Sequence, residues 1–160
     1  MSHDTDAPTD DARYMGLAIE ASRAALAAGN MPFGASLVKD GRLLQVSGNN
    51  QVTTGDCTGH AEVALIREAV AALGREALVG ATVYASGEPC AMCSGAMFWA
   101  GIRRVVFAAT QDDIIQILGG PELPIRTAEV LATAKPAVVV EEGPLREEAC
   151  AVLRAWTAQP

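Results

Sequence analysis

An α/β fold, with a mixed sheet covered by helices on both faces, is what this chain predicts, and three features carry the prediction. An early hairpin is written as two short runs, 35–39 and 42–48, separated only by Asp40-Gly41, a dipeptide suited to a tight two-residue turn. After the hairpin, short strand-like runs alternate with helical ones. The longer helical stretches also stop at glycines, Gly29 and Gly74, where a left-handed residue closes a helix. The 160 residues suffice for one domain with its own core, residues 9–160, behind a polar, acidic and mobile tail at residues 1–8.

Taken in order, Thr9 is placed to cap a helix whose first turn holds Asp10 and Asp11, where negative charge meets the positive end of the dipole. Tyr14, Leu17, Ala18, Ala21, Ala25 and Leu26 continue that helix, and its small residues suit close packing on a sheet. Beyond the hairpin, residues 53–59 form a polar, glycine-containing loop. A second helix covers 60–73, with Val63, Ile66, Val70 and Leu73 on its apolar face. A strand at 81–86 leads to a third helix after Pro89, a residue that fits the first helical position because its missing N–H would have no partner there. A strand at 104–108 and a short helix at 111–118 come next, then a break at Gly119-Gly120-Pro121. A helix over 125–134, a final strand over 137–140 and an amphipathic helix over 145–156 complete the chain. On that last helix Cys150 reads as a small buried hydrophobe and Trp156 as a packing anchor.

Charge narrows the partners. The net charge is −7, and lysine occurs only at Lys39 and Lys135, with Arg103-Arg104 the longest basic cluster. A protein that grips a phosphate backbone carries a basic footprint, so a broad nucleic-acid face is not expected. The N-terminus lacks the basic and apolar regions of a signal peptide, and no uncharged apolar run reaches membrane-spanning length. With a C-x-x-C pair that reads as reduced thiols, the expected location is the cytoplasm.

Chemistry concentrates in two short stretches. Cys90 and Cys93 lie one helical turn apart, about 60° around the axis, so both sulfurs can face one point. A helix start favours their thiolate forms. The chain has two histidines: His3 is a solvated tail residue, and His60 stands two positions before Glu62. Two thiolates and an imidazole suit Zn2+, and three protein ligands leave a fourth position for water. A closed site competes with this reading. Cys57-Thr58-Gly59-His60 has C-x-x-H spacing, and Cys57 as fourth ligand would make a structural zinc in a binding module.

The pattern His60-x-Glu62 with Pro89-Cys90-x-x-Cys93 matches the signature of zinc-dependent nucleobase deaminases, and residues 32–113 resemble the cytidine/deoxycytidylate deaminase superfamily. The likeness is nearest to its bacterial guanine deaminase branch, through Pro32-Phe33-Gly34-Ala35, Gly48-Asn49-Asn50-Gln51-Val52-Thr53 and Ala96-Met97-Phe98-Trp99-Ala100. The resemblance implies a three-layer αβα cytidine deaminase-like fold with a five-stranded mixed sheet. It also implies hydrolytic release of ammonia from a small aminopurine or aminopyrimidine base or nucleoside, as in purine metabolism. Zn2+ would be held by His60, Cys90 and Cys93. Glu62 would carry protons from water to a ring nitrogen and then to the departing ammonia. Asn50, Phe33, the Ala61 backbone N–H and Trp99 would contact substrate, and the chain would form a homodimer. Trp99, however, lies about 240° around the helix from Cys93, so it reaches a pocket only beyond the helix end or across a subunit boundary. Where the family carries an acidic substrate-reading residue, this chain has Gly119-Gly120-Pro121, with Glu122 just downstream and Asp112 and Asp113 upstream. The base therefore stays open, and adenosine in transfer RNA is the second reading, disfavoured by the acidic balance.

Overall fold

The computed structural model describes residues 9–160; the tail, with His3, lies outside the described residues. Seven helices and five strands follow in the order α1 (Asp10–Ala27), β1 (Gly34–Lys39), β2 (Arg42–Gly48), α2 (Gln51–Thr54), α3 (Ala61–Leu73), β3 (Thr82–Gly87), α4 (Ala91–Ala100), β4 (Arg104–Ala109), α5 (Gln111–Leu118), α6 (Thr127–Val130), β5 (Val139–Glu142) and α7 (Arg146–Thr157). The strands form one sheet in the order β2-β1-β3-β4-β5. The Asp40-Gly41 turn, with φ of 51° and 71°, is too short for anything but an antiparallel β1–β2 pair. The crossovers through α4 and through α5 and α6 make β3–β4 and β4–β5 parallel, while β1 joins β3 antiparallel. The expected five-stranded mixed sheet is present.

Side-chain alternation sends successive strand residues to two different cores. Tyr84 and Val106 face Met15 and Ile19 of α1 and Val152 and Leu153 of α7, with Cys150 buried beside them. Their neighbours Val83 and Val105 face Leu65 of α3 and Met97 of α4. Each face therefore carries its own helical layer, and α3 and α4 share one side. Thr9 caps α1 as expected, its hydroxyl accepting from the Ala12 N–H at 3.2 Å. Among the described residues, no helix is long and apolar enough to cross a membrane.

Three expectations are corrected. Residues 53–54, expected as the start of the 53–59 loop, instead end the short helix α2, because Asn30, remote in sequence, accepts the N–H groups of Val52 and Thr53 at 3.0 and 3.1 Å. The helix expected over 125–134 shrinks to α6, whose first turn is held by the Glu129 carboxylate reaching the Arg126 N–H at 3.1 Å. The last strand begins at Val139 rather than at 137, since its register comes from its neighbour: the Val139 N–H meets the Arg103 carbonyl at 2.9 Å.

The closest approach of layers falls at Gly34. A Cβ there would stand 2.1 Å from the Ala18 carbonyl oxygen and 2.5 Å from the Ser22 nitrogen, both backbone atoms of α1. Backbone cannot swing aside as a side-chain end can, so Gly34→Ala should lower stability by about 3 kcal/mol, the upper range for overpacking. Gly16→Ala on α1, where a Cβ meets nothing within 4 Å, should instead be neutral or stabilising. Urea unfolding of both variants measures the contrast.

Candidate active site

Strand β3 delivers the chain to Gly87, Glu88 and Pro89, and Cys90 follows as the N-cap of α4 with extended angles of φ −72° and ψ 175°. Pro89 thus precedes the cap instead of occupying the first helical position, since the Cys90 carbonyl already accepts the Ser94 N–H at 2.9 Å. His60 plays the same part for α3, as its N-cap, and Ala61 and Glu62 open that helix. The two helix starts converge. His60 Nδ1 stands 3.5 Å from each of the Cys90 and Cys93 sulfurs, and the sulfurs are 3.7 Å apart.

These spacings can be tested against zinc. Tetrahedral angles with Zn–S of about 2.3 Å and Zn–N of about 2.0–2.1 Å put two sulfurs about 3.8 Å apart and each about 3.6 Å from the nitrogen. The donors stand at that separation, so the triad fits zinc without rearrangement. The closed four-ligand alternative is not formed. Among the described residues, only His60, Cys90 and Cys93 form a group with ligand atoms within 4.8 Å of one another, and Cys57 is exposed on the loop ahead of α3. Proximity in sequence does not help Cys57, because Gly59 and Thr58 turn between it and the His60 cap, with the His60 N–H bonded to the Thr58 carbonyl.

The charges are shared among the ligands. The Cys90 thiol is pushed down to about 4 by hydrogen bonding from Cys93, with His60 reinforcing the effect. Cys93 is pushed up, first by that same bond to Cys90 and then by burial. His60 is raised by its bond to Cys90, which favours the imidazolium. Glu62, 5 % exposed, is raised chiefly by burial, so its carboxyl holds a proton far more readily than one in water.

Glu62, His60, Ala61, Cys90 and Phe33 all line one cavity, of about 550 Å³. Phe33 packs against each core and also walls the cavity, so close to Gly87 that a Cβ there would lie 2.8 Å from its ring. The Ala61 N–H, at the first position of α3, has no intrahelical acceptor and is available at the cavity floor. Asn50 does not line the cavity. Its backbone N–H bonds to the Gly59 carbonyl at 2.9 Å and closes the intervening loop, while Asn49 and Gln51 form the wall in its place. Trp99 is 75 % exposed and also outside the lining, as its angular offset on α4 requires. Of the three acidic residues considered for substrate reading, only Glu122 reaches the cavity. Asp112 pairs with Arg126, and Asp113 caps α5 and pairs with Arg146 at 2.8 Å.

Besides Asn49 and Gln51, the wall residues Glu88 and Gln111 escaped the sequence reading. Glu88 accepts the Gln111 N–H at 2.7 Å and bonds the Thr127 N–H at 3.4 Å, tying the metal-ligand turn to α5 and α6. Its place immediately before Pro89-Cys90 was the available signal. Gln111 had none, since a glutamine opening a short helix is unremarkable in sequence.

With this geometry in view, comparison with known proteins is informative. The signature of the cytidine and deoxycytidylate deaminase zinc-binding region matches residues 8–109, and the chain belongs to that family. A probable cytosine deaminase of Schizosaccharomyces pombe is 36% identical over 152 residues, 91% of each chain. A tRNA-specific adenosine deaminase of Agrobacterium fabrum is 46% identical over 96 residues, 60% of this chain and 63% of that one. A guanine deaminase of Bacillus subtilis is 46% identical over 82 residues, 51% of this chain and 53% of its own. Among solved structures, the guanine deaminase of Nitrosomonas europaea has a TM-score of 0.80 at 31% identity, covering 96% of this chain and 87% of that chain. A structure containing 8-azaguanine has a TM-score of 0.81 at 31% identity, covering 94% and 87%. The protein is a zinc-dependent nucleobase or nucleoside deaminase.

Substitution should separate the residues by role. His60→Ala and Cys90→Ala are expected to lose stoichiometric zinc, whereas Cys57→Ser keeps it. Glu62→Gln should retain zinc but release ammonia about 10²- to 10⁴-fold more slowly, the usual contribution of a positioned acid–base. Metal analysis together with ammonia assay checks all four.

Proposed function

We propose that the substrate is a small, uncharged amino-heterocycle of the guanine type, deaminated hydrolytically as a free base or nucleoside. The observation that carries this reading is the composition of the cavity wall. Three carboxylates, Glu62, Glu88 and Glu122, take part in it, and no lysine or arginine does among the described residues. A phosphate group there would find no lysine or arginine to pair with and would lie beside Glu88 and Glu122, and a net charge of −7 gives a polyanion such as transfer RNA no attraction from afar. A planar base suits the volume and the apolar side of the wall, where Phe33 faces Ile114 and Leu118.

His60, Cys90 and Cys93 would hold zinc, which when bound lowers the pKa of a coordinated water from 15.7 to about 7. The remaining chemistry belongs to side chains and backbone. Glu62, raised by burial, takes a proton from the nucleophile and gives it to a ring nitrogen beside the amino-bearing carbon. Once that carbon is tetrahedral, the Glu62 carboxylate takes the remaining proton of the added hydroxyl and passes it to the amino group, so that the C–N bond breaks and ammonia leaves as the carbonyl forms. The Ala61 N–H orients a substrate carbonyl, Asn49 and Gln51 present amides along the wall, and Phe33 excludes water from one face of the ring. Glu122 supplies an acceptor for ring or amino N–H groups, a role no other acidic residue of that region is placed to take. Thiolates that must remain reduced suit the cytoplasm.

A panel assay tests the substrate. Ammonia release from guanine, cytosine, adenine, their nucleosides and tRNA should be largest for a free base or nucleoside, and activity confined to tRNA would overturn the reading.

The second copy of the chain expected from the family likeness would pack on α4. Trp99 and Met92, 75 % and 37 % exposed, lie two turns apart on one face with the small residues Gly95 and Ala96 between them. Met92 also reaches the cavity rim, so a partner seated there would border the site. Sedimentation at micromolar concentration should show a dimer that Trp99→Glu dissociates; a monomeric wild type would refute it.

A further inference from the structure

We propose that Gln111 determines specificity: its side-chain oxygen accepts a hydrogen bond from an N–H of the substrate ring system, other than the amino group that leaves. The proposal rests on the reading above, that an amino-heterocycle occupies this cavity.

Gln111 is the first residue of α5, is 9 % exposed and forms part of the cavity wall. Its carboxamide is oriented by what surrounds it. Nε2 donates to the Leu123 carbonyl at 2.7 Å, and the backbone N–H of the same residue donates to Glu88 Oε2, also at 2.7 Å. Reversing the amide would set two acceptor oxygens against each other at Leu123, so the nitrogen stays there and Oε1 is left over. That oxygen is buried and has no hydrogen-bond partner. Among the described residues only one other buried side-chain polar atom is in this position, Arg126 Nη1, and Arg126 does not line this cavity.

An unpaired buried acceptor is costly, and native proteins rarely leave one without a use. Here the side chain borders the space a substrate fills, and its oxygen, which has almost no accessible surface, meets a donor only when the wall shifts slightly around a bound ring. The missing donor is then supplied by the substrate. The neighbouring wall points the same way: Glu122 also offers oxygens rather than N–H groups. Such a rim matches the donor-rich edge of an amino-keto base and rejects a ring that presents a lone pair at that edge, because both acceptors would then stay unpaired.

The experiment compares zinc-loaded wild type with Gln111→Leu, and with Gln111→Met should the leucine variant fold poorly. Guanine, cytosine and analogues in which a single ring N–H is replaced by N–CH3 or C–H are assayed for kcat/KM. Binding of the same compounds to Glu62→Gln, with and without the Gln111 change, gives a readout independent of turnover. Wild type should prefer one N–H compound over its analogue, and loss of Gln111 should narrow that preference about tenfold to hundredfold with zinc content unchanged. An equal loss for every compound would mean that the amide only holds the Leu123 carbonyl, and would overturn the proposal. If wild type deaminates these bases and the preference does not narrow, Gln111 has no reading role and the substrate assignment survives. If the zinc-loaded protein neither binds nor deaminates any of them, the substrate assignment falls and this proposal with it.

Discussion

His60 and the two cysteines stand 30 or more residues apart in sequence, yet their donor atoms lie no more than 3.7 Å from one another. Nothing local to either stretch imposes that separation. It comes from packing α3 and α4 side by side on one face of the sheet, where Ala61, Leu65 and Met97 are fully buried against strand residues. Close packing makes the helix positions stiff, and stiff helix starts are what a preorganised metal triad needs. The turn that bears Cys90 is further secured from behind. Buried Thr127 donates to the Pro89 carbonyl at 2.7 Å, and Glu88 bonds the N–H groups that open α5 and α6.

Electrostatics follows from the same burial. A carboxyl as enclosed as Glu62, beside two sulfurs, is an unfavourable place for three negative charges. A divalent cation with two thiolates is neutral as a unit, which leaves the carboxyl free to gain and lose one proton. Hydrogen bonding from Cys93 and His60 lowers the Cys90 thiol, the bond to Cys90 raises His60, and the bond to Cys90 and burial push Cys93 up. The acidity continues into the wall through Glu88 and Glu122, with no lysine or arginine beside them among the described residues.

Legibility in the sequence varied with the range of the forces involved. The hairpin, the capped α1 and the alternation of strands and helices were readable because each depends on residues within a turn or two of one another, and the metal triad was readable because its two short motifs, though 30 residues apart, form a known signature. The start of the 53–59 loop was misread because the helix that ends there is held by Asn30 from outside. The final strand was displaced because a neighbouring strand sets its register. At the site, Asn50 and its neighbour Asn49 are chemically identical in sequence, and only the closing bond to Gly59 decides which of them faces the cavity. Glu122, Asp112 and Asp113 were equally plausible until Arg126 and Arg146 engaged two of them.

By itself, the sequence determined the donor set and its chemistry. Spacing along a helix is a local property, and an imidazole with two thiolates selects zinc wherever they meet. It also set Glu62 two residues from a candidate ligand at a helix start. Only the tertiary structure decided that the fourth position is not taken by Cys57, that Trp99 faces outward, and that Gln111 brings a buried, unpaired oxygen to the cavity wall. Those outcomes depend on which distant surfaces pack together, and packing is settled by the whole core rather than by neighbours along the chain.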